Sequence, residues 1–160
     1  MARLSEKEII EFRIPGDPEC VPMVRKAVQS IARSLGFSEE TAADIELSVA
    51  EAVANAIEHG SPRRDRDAVM IVCRVTGDKL IVDVEDNGPG FELPRRNHRW
   101  ELLDERGRGL KLIQHLMDKV NVCQTANGCR ITMAKKNKQP APSAQLPASK
   151  IRLSPSRVGR

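Results

Sequence analysis

The spacing of apolar residues along this 160-residue chain switches repeatedly between the period of a strand and the period of a helix. Alternating apolar positions, such as Leu80, Val82 and Val84, predict strands with one buried face. Apolar positions three or four residues apart, such as Ile45 and Val49, predict helices that bury one side. The predicted strands cover residues 8–14, 68–75, 79–85, 120–124 and 129–134, and the predicted helices cover residues 18–35, 38–58 and 107–119. We therefore expect an α/β (α+β) two-layer sandwich, in which three helices cover one face of a mixed or antiparallel sheet.

The charge of the chain is unevenly distributed. Its net charge is +4, but seven of the 26 basic residues and none of the 22 acidic residues lie from position 134 onwards. Residues 1–133 therefore hold 19 basic and 22 acidic residues, a net charge of −3. A nucleic-acid-binding domain usually carries a basic face or stacking aromatic residues, and only 2% of the residues here are aromatic. We expect no direct nucleic-acid binding, one domain over residues 1–134 and a disordered, basic Pro/Ala/Ser-rich tail over residues 135–160.

The sequence contains no candidate membrane span and no signal peptide. Its longest uncharged stretch, residues 139–149, is interrupted by proline, whereas a spanning helix needs about 17–25 apolar residues. The first 12 residues contain three glutamates and lack the apolar segment of a signal peptide. The cysteines (Cys20, Cys73, Cys123 and Cys129) form no C-x-x-C pair and share no metal-site spacing with the histidines. These features predict a cytoplasmic protein without membrane association whose thiols stay reduced.

The first candidate motif is the pair Glu51 and Asn55 in the second predicted helix. A spacing of four residues places the two side chains on one helical face, about one turn apart. A carboxylate can activate a hydroxyl group or a water molecule, and an amide oxygen is a suitable ligand for Mg²⁺. Because glutamate and asparagine at this spacing are also common on solvated helix faces, the pair alone does not identify a site.

The second candidate motif, Asp86-Asn87-Gly88-Pro89-Gly90, follows a predicted strand directly. A carboxylate held at a strand end can accept a hydrogen bond from an exocyclic amine, and Gly88 and Gly90 allow a ligand to approach the backbone closely. The same residue types also form ordinary turns, which is the alternative interpretation of this segment.

The third candidate motif, Arg106-Gly107-Arg108-Gly109-Leu110, begins the third predicted helix. Free N–H groups and the dipole at a helix N-terminus bind anions, and the two arginines add positive charge. The motif matches neither a Walker loop nor a Rossmann fingerprint. Residues 91–106 lack clear periodicity and exceed the usual length of a structureless loop, so we expect them to form a lid over a ligand.

These motifs, in this order, resemble the N-box, the first G-box and the second G-box of the GHKL ATP-binding superfamily. Within it, residues 47–60 (LSVAEAVANAIEHG), 86–91 (DNGPGF) and 107–120 (GRGLKLIQHLMDKV) are similar to the bacterial anti-sigma-factor serine/threonine protein kinases. The resemblance covers residues 8–134. It implies the GHKL (Bergerat) ATP-binding fold, with ATP and Mg²⁺ as cofactors.

The resemblance also implies a role for individual residues of this chain. Glu51 corresponds to the general base for a substrate serine, and Asn55 corresponds to the Mg²⁺ ligand. Asp86 corresponds to the carboxylate that binds the adenine amine, beside Gly88 and Gly90. The remaining nucleotide-binding candidates are Arg106, Gly107, Arg108, Gly109, Leu110 and Cys129, the last in a position where relatives often carry threonine. Arg95, Arg96, Arg99, Arg106 and Arg108 all stay open as the arginine that contacts the γ-phosphate.

The function implied by the resemblance is an anti-sigma factor with protein serine/threonine kinase activity. Such a protein is a homodimer that sequesters a sigma factor and uses Mg-ATP to phosphorylate an anti-anti-sigma protein of the STAS type. The alternative is an ATP-binding partner-switching regulator with little or no kinase activity, because GHKL ATPases direct the same carboxylate at water. A histidine-kinase catalytic domain is disfavoured because the chain has no room for a two-helix phosphoacceptor domain.

Overall fold

A computed structural model describes residues 7–60, 68–86, 105–126 and 128–138, and its elements follow the predicted order. The strands are β1 (Lys7–Pro15), β2 (Ala68–Thr76), β3 (Lys79–Asp86), β4 (Lys119–Gln124) and β5 (Cys129–Lys136). The helices are α1 (Val21–Ser34), α2 (Glu39–Gly60) and α3 (Glu105–Leu116), and a 3-10 turn at Pro18–Cys20 precedes α1.

The five strands form one sheet in the order β1-β2-β3-β5-β4, and every neighbouring pair is antiparallel. A two-residue loop, Gly77-Asp78, joins β2 to β3, since Thr76 pairs with Lys79 across the hairpin. In the hairpin formed by β4 and β5, β5 pairs with β3 and β4 lies at the edge of the sheet. The predicted α+β sandwich is thus confirmed, with an antiparallel sheet.

The hydrophobic core lies between the sheet and the helices. Alternate side chains of β2, β3 and β5 point into it, and the polar side chains of these strands face the other way. Each buried aliphatic side chain contributes about 1.5–3 kcal/mol of hydrophobic stabilisation. The largest fully buried side chains are Ile45, Ile71, Leu80, Ile113, Met133, Val24, Val28, Val49, Val53, Val69, Val82 and Val84.

Helix α2 is the central helix of the layer and contacts α1, α3 and β3. Ser38 is its N-cap: the Ser38 hydroxyl accepts a hydrogen bond from the Thr41 N–H at 3.2 Å. Glu39 and Glu40 lie in the first turn, where negative charge stabilises the helix dipole. None of the helices in the described part of the chain is long and apolar enough to cross a membrane.

The element boundaries differ from the predicted ones by up to three residues, and the differences at the ends of α3 and β5 have identifiable reasons. Helix α3 begins at Glu105 and ends at Leu116, because the chain turns there to enter β4 at Lys119. Strand β5 continues beyond the predicted end at residue 134 to Lys136, because the Lys136 N–H donates to Asp118. The apolar alternation ends before these charged residues, and backbone pairing continues without it.

Candidate nucleotide-binding site

Glu51 and Asn55 lie on α2 beside the residues that it buries in the core. Ala52, Val53 and Ala56 face the core, whereas Glu51 and Asn55 are both half-buried on the flank of the helix. The predicted arrangement of the two side chains on one side of a helix is therefore observed.

Gly109 of α3 packs directly against this pair. A Cβ atom built at Gly109 would lie 3.0 Å from Oε2 of Glu51 and 3.2 Å from Nδ2 of Asn55. Gly109 itself is buried, so any larger residue would occupy the space above the carboxylate and the amide. The packing of α3 on α2 thus brings the first and third sequence motifs together.

Neither Glu51 nor Asn55 forms a side-chain hydrogen bond or an ion pair within the described ranges. Other acidic residues of α2 are engaged differently: Glu46 accepts from Arg25 at 2.9 Å, and Glu39 accepts from Arg33 at 2.7 Å. No group in the described ranges therefore competes with a ligand for the Glu51 carboxylate or the Asn55 amide.

Asp86 is the last residue of β3, and it is a polar residue on the buried face of that strand. It follows Leu80, Val82 and Val84 in the inward alternation, and its side chain is buried toward the helices with a relative exposure of 7%. Asp86 pairs with Cys129, the first residue of β5. The carboxylate therefore lies at the end of a central strand, on the helix-covered side of the sheet, where a bound base could donate an amine hydrogen bond to it.

Gly128, the residue before β5, lies directly against Asp86. A Cβ atom at Gly128 would lie 1.9 Å from the Asp86 carbonyl oxygen and 2.9 Å from its Oδ1, so only glycine fits there. Burial raises the pKa of the Cys129 thiol to about 11, with further contributions from Asp86 and Cys123. Sequence reasoning does not reveal this close approach, because the pair Asn127-Gly128 between two predicted strands is already explained by a hairpin turn.

The remaining predicted residues divide into three groups. Arg106, Gly107 and Arg108 form the start of α3, where backbone N–H groups are left without helical acceptors. Leu110 is buried, so it anchors this end of α3. Gly88, Gly90 and the predicted lid arginines Arg95, Arg96 and Arg99 lie outside the described residues.

The donor set near Glu51 fits a magnesium ion bound together with a nucleotide. In the described ranges, no group of three or more His, Cys, Asp or Glu side chains could hold a metal by itself. Mg²⁺ typically takes one or two protein oxygens and completes its shell with phosphate and water. Asn55, which is half-buried beside Glu51, carries one amide oxygen of this kind.

Comparison with known proteins shows the family to which the chain belongs. Residues 14–135 match the family model of the histidine kinase-like ATPase domain. The chain is 31% identical over 137 residues to the serine-protein kinase RsbW of Bacillus velezensis, covering 80% of this chain and 85% of the relative. It is 33% identical over 131 residues to the serine-protein kinase RsbW of Listeria monocytogenes serotype 4a, covering 76% and 82%.

Solved structures of other proteins show the same fold. The RsbU and RsbW domains of Rv1364c from Mycobacterium tuberculosis align with a TM-score of 0.64 at 19% identity, covering 84% of this chain and 33% of that chain. The catalytic domain of the histidine kinase ThkA aligns with a TM-score of 0.53 at 17% identity, covering 81% and 96%. The chain belongs to the histidine kinase-like ATPase domain family and, within it, to the RsbW serine-protein kinases.

Proposed function

We propose that this protein is an ATP-dependent protein serine/threonine kinase that also acts as an anti-sigma factor. The observation that carries the proposal is the Glu51 carboxylate, which is half-buried, has no hydrogen-bond or ion-pair partner among the described residues, and contacts the N-terminal part of α3. Its relatives are named serine-protein kinases, and their similarity covers most of the chain.

In the proposed reaction, the substrate hydroxyl attacks the γ-phosphorus of ATP in line with the leaving oxygen. A bond forms between the hydroxyl oxygen and phosphorus as the bond from phosphorus to the β–γ bridging oxygen breaks, and ADP leaves. Glu51 accepts the hydroxyl proton, a contribution that is typically about 10²- to 10⁴-fold in rate. Positioning and charge neutralisation supply the rest of the acceleration.

The other residues bind the nucleotide. Asp86 accepts a hydrogen bond from the adenine amine, flanked by Gly88 and Gly90. The first turn of α3, which contains Arg106 and Gly107, offers N–H groups and positive charge to the phosphates. Asn55 would hold Mg²⁺, which supplies charge neutralisation at the phosphates when bound. Cys129 and Leu110 support the two ends of this pocket.

The proposed partners are a sigma factor, which the protein sequesters, and an anti-anti-sigma protein of the STAS type, which it phosphorylates. We further propose a cytoplasmic homodimer that contacts neither nucleic acid nor a membrane directly. The domain extends beyond its predicted end at residue 134, because Lys135 and Lys136 belong to β5 and Asn137 is buried. We therefore propose the tail for residues 139–160 alone. The alternative, a nucleotide-binding regulator that switches partners with little or no transfer, uses the same pocket and differs only in the chemistry at Glu51.

Phosphoryl transfer distinguishes the two functions. Full-length protein is incubated with Mg-ATP labelled at the γ-phosphate and with each STAS-type protein of the same genome. Glu51→Gln should reduce transfer by at least about 100-fold while Mg-ATP binding, measured by calorimetry, persists. Glu40→Gln, at an exposed carboxylate of the same helix, is the control and should transfer at the wild-type rate.

Each other outcome has a definite meaning. Equal labelling by wild type and Glu51→Gln would refute the role of Glu51 as the base. Wild-type protein that binds Mg-ATP but labels no STAS-type protein would instead support the partner-switching regulator. Loss of Mg-ATP binding in Asp86→Asn is expected in either case, and its persistence would refute the assigned adenine contact.

A further inference from the structure

Leu47 is an exposed large apolar side chain close to the proposed reaction centre. Among the residues with described side chains, only Met23 and Leu47 are large hydrophobics that remain exposed, with relative exposures of 44% and 38%. Leu47 precedes Glu51 by four residues on α2, so it lies one turn away on the same side of the helix, about 6 Å along the axis.

On the face of α2 that carries Glu51, the surface to one side of Glu51 is covered and the surface to the other side is exposed. Gly109 of α3 covers the side that carries Asn55, and the start of α3 is where the phosphates are proposed to bind. On the other side, Leu47 and Ala54 are both exposed. Attack in line with the leaving oxygen brings the hydroxyl from the side opposite the nucleotide. With the nucleotide in its proposed position, the open route for a substrate hydroxyl to Glu51 crosses Leu47 and Ala54.

The surroundings of Leu47 suit contact with another protein. Its neighbour Glu46 forms an ion pair with Arg25 of α1, and Asp44 lies on the preceding turn, so a small apolar patch is bordered by charged groups. An apolar centre with a polar rim is the usual anatomy of a protein–protein contact. Leu47 lies on the side of Glu51 away from α3, so a nucleotide bound at the start of α3 would not contact this side chain.

We propose that Leu47 is a specificity-determining contact for the protein substrate and binds an apolar side chain next to the acceptor serine or threonine. The partner is thus a protein whose acceptor hydroxyl is flanked on its surface by an apolar residue. This inference rests on the proposed kinase function, and it adds a substrate contact outside the nucleotide pocket.

The test is a steady-state kinetic comparison of full-length variants, with the STAS-type protein that the wild type labels as the substrate. Leu47→Gln removes the apolar contact while keeping a good helix former. We expect the KM for the protein substrate to rise about tenfold, as for an interface residue that contributes measurably to binding without being a hot spot, and the calorimetric affinity for Mg-ATP to stay unchanged. Leu47→Met, which restores an apolar side chain, should return the KM to near the wild-type value.

Met23→Gln is the matched control. Met23 is equally exposed, but it lies two residues before Arg25 on α1. Arg25 faces α2 through its ion pair with Glu46, and an offset of two residues turns Met23 away from α2. We expect Met23→Gln to keep the wild-type KM for the protein substrate.

An unchanged KM in Leu47→Gln, or the same rise in Met23→Gln, would overturn the inference while leaving the kinase function standing. A rise in KM together with lost Mg-ATP affinity would also overturn it, because the effect would then belong to the nucleotide pocket. If the wild type labels no STAS-type protein, the proposed function fails first and this inference fails with it.

Discussion

Replacing Gly109 with alanine separates the stability of the fold from the chemistry of the site. Gly109 is within α3, where alanine is favoured over glycine by about 0.5–1 kcal/mol. The new methyl group would meet Oε2 of Glu51 at 3.0 Å, so the carboxylate must retreat by a few tenths of an ångström. Because no hydrogen bond or ion pair within the described part of the chain holds Glu51, this movement costs little.

We therefore expect Gly109→Ala to unfold at the wild-type temperature or up to about 3 °C higher. Its rate of phosphoryl transfer should fall by about 100-fold, because small displacements of a positioned catalytic group carry costs of that size. Thermal unfolding followed by circular dichroism measures the first quantity, and labelling of the STAS-type substrate measures the second.

Two other glycines serve as controls, because alanine at either position should lower the free energy of unfolding, unlike alanine at position 109. Gly128→Ala places its Cβ 1.9 Å from a backbone carbonyl oxygen, which cannot swing aside, so the free energy of unfolding should fall by about 3 kcal/mol. Gly77→Ala meets open space but at φ +60°, which costs about 1 kcal/mol. Wild-type transfer by Gly109→Ala, or destabilisation of that variant as large as for Gly128→Ala, would refute the reasoning about the contact with Glu51.

Two further predictions concern thiols and a helix end. Burial raises the pKa of Cys73 to about 12 and that of Cys129 to about 11, so both should resist iodoacetamide at pH 8 in the folded protein, and peptide mapping would reveal any modification. Since the unfolded thiols lose their protons first, the free energy of unfolding should decline as pH rises from about 9 to about 11, and a flat profile would contradict these pKa shifts. Lys135 donates from Nζ to the Leu116 carbonyl at the C-terminus of α3, so Lys135→Met should lower the free energy of unfolding by about 1–2 kcal/mol in urea titrations. Lys111→Met, at an exposed position of α3, should stay within about 0.5 kcal/mol of wild type, and equal effects of the two would disprove the cap.

Local patterns in the sequence were sufficient to identify the elements and the inward side of each. The alternation through Val82 and Val84 continues to Asp86, so its burial on the helix-covered side follows from strand periodicity. The spacing of Glu51 and Asn55 likewise defines a shared helix face. These properties depend on neighbours within a few residues, which is the range over which backbone geometry fixes side-chain direction.

Element boundaries were less accurate where the apolar pattern fades before the backbone pairing does. Strand β5 extends to Lys136, beyond its last inward apolar residue, since hydrogen bonds to Asp118 and pairing with Lys79 maintain it. The charged residues Lys135 and Lys136 continue the strand but leave no trace in hydrophobic periodicity.

The sequence by itself determined the order of elements, the buried side of each and the residue types that a phosphoryl-transfer site requires. Only the tertiary structure decided that Gly109 lies against Glu51 and Asn55, and that Gly128 lies against Asp86. Periodicity states which side of an element is apolar, but not which element will cover it. That choice depends on packing among elements far apart in the chain, and here it leaves Glu51 with α3 on one side and the exposed Leu47 on the other.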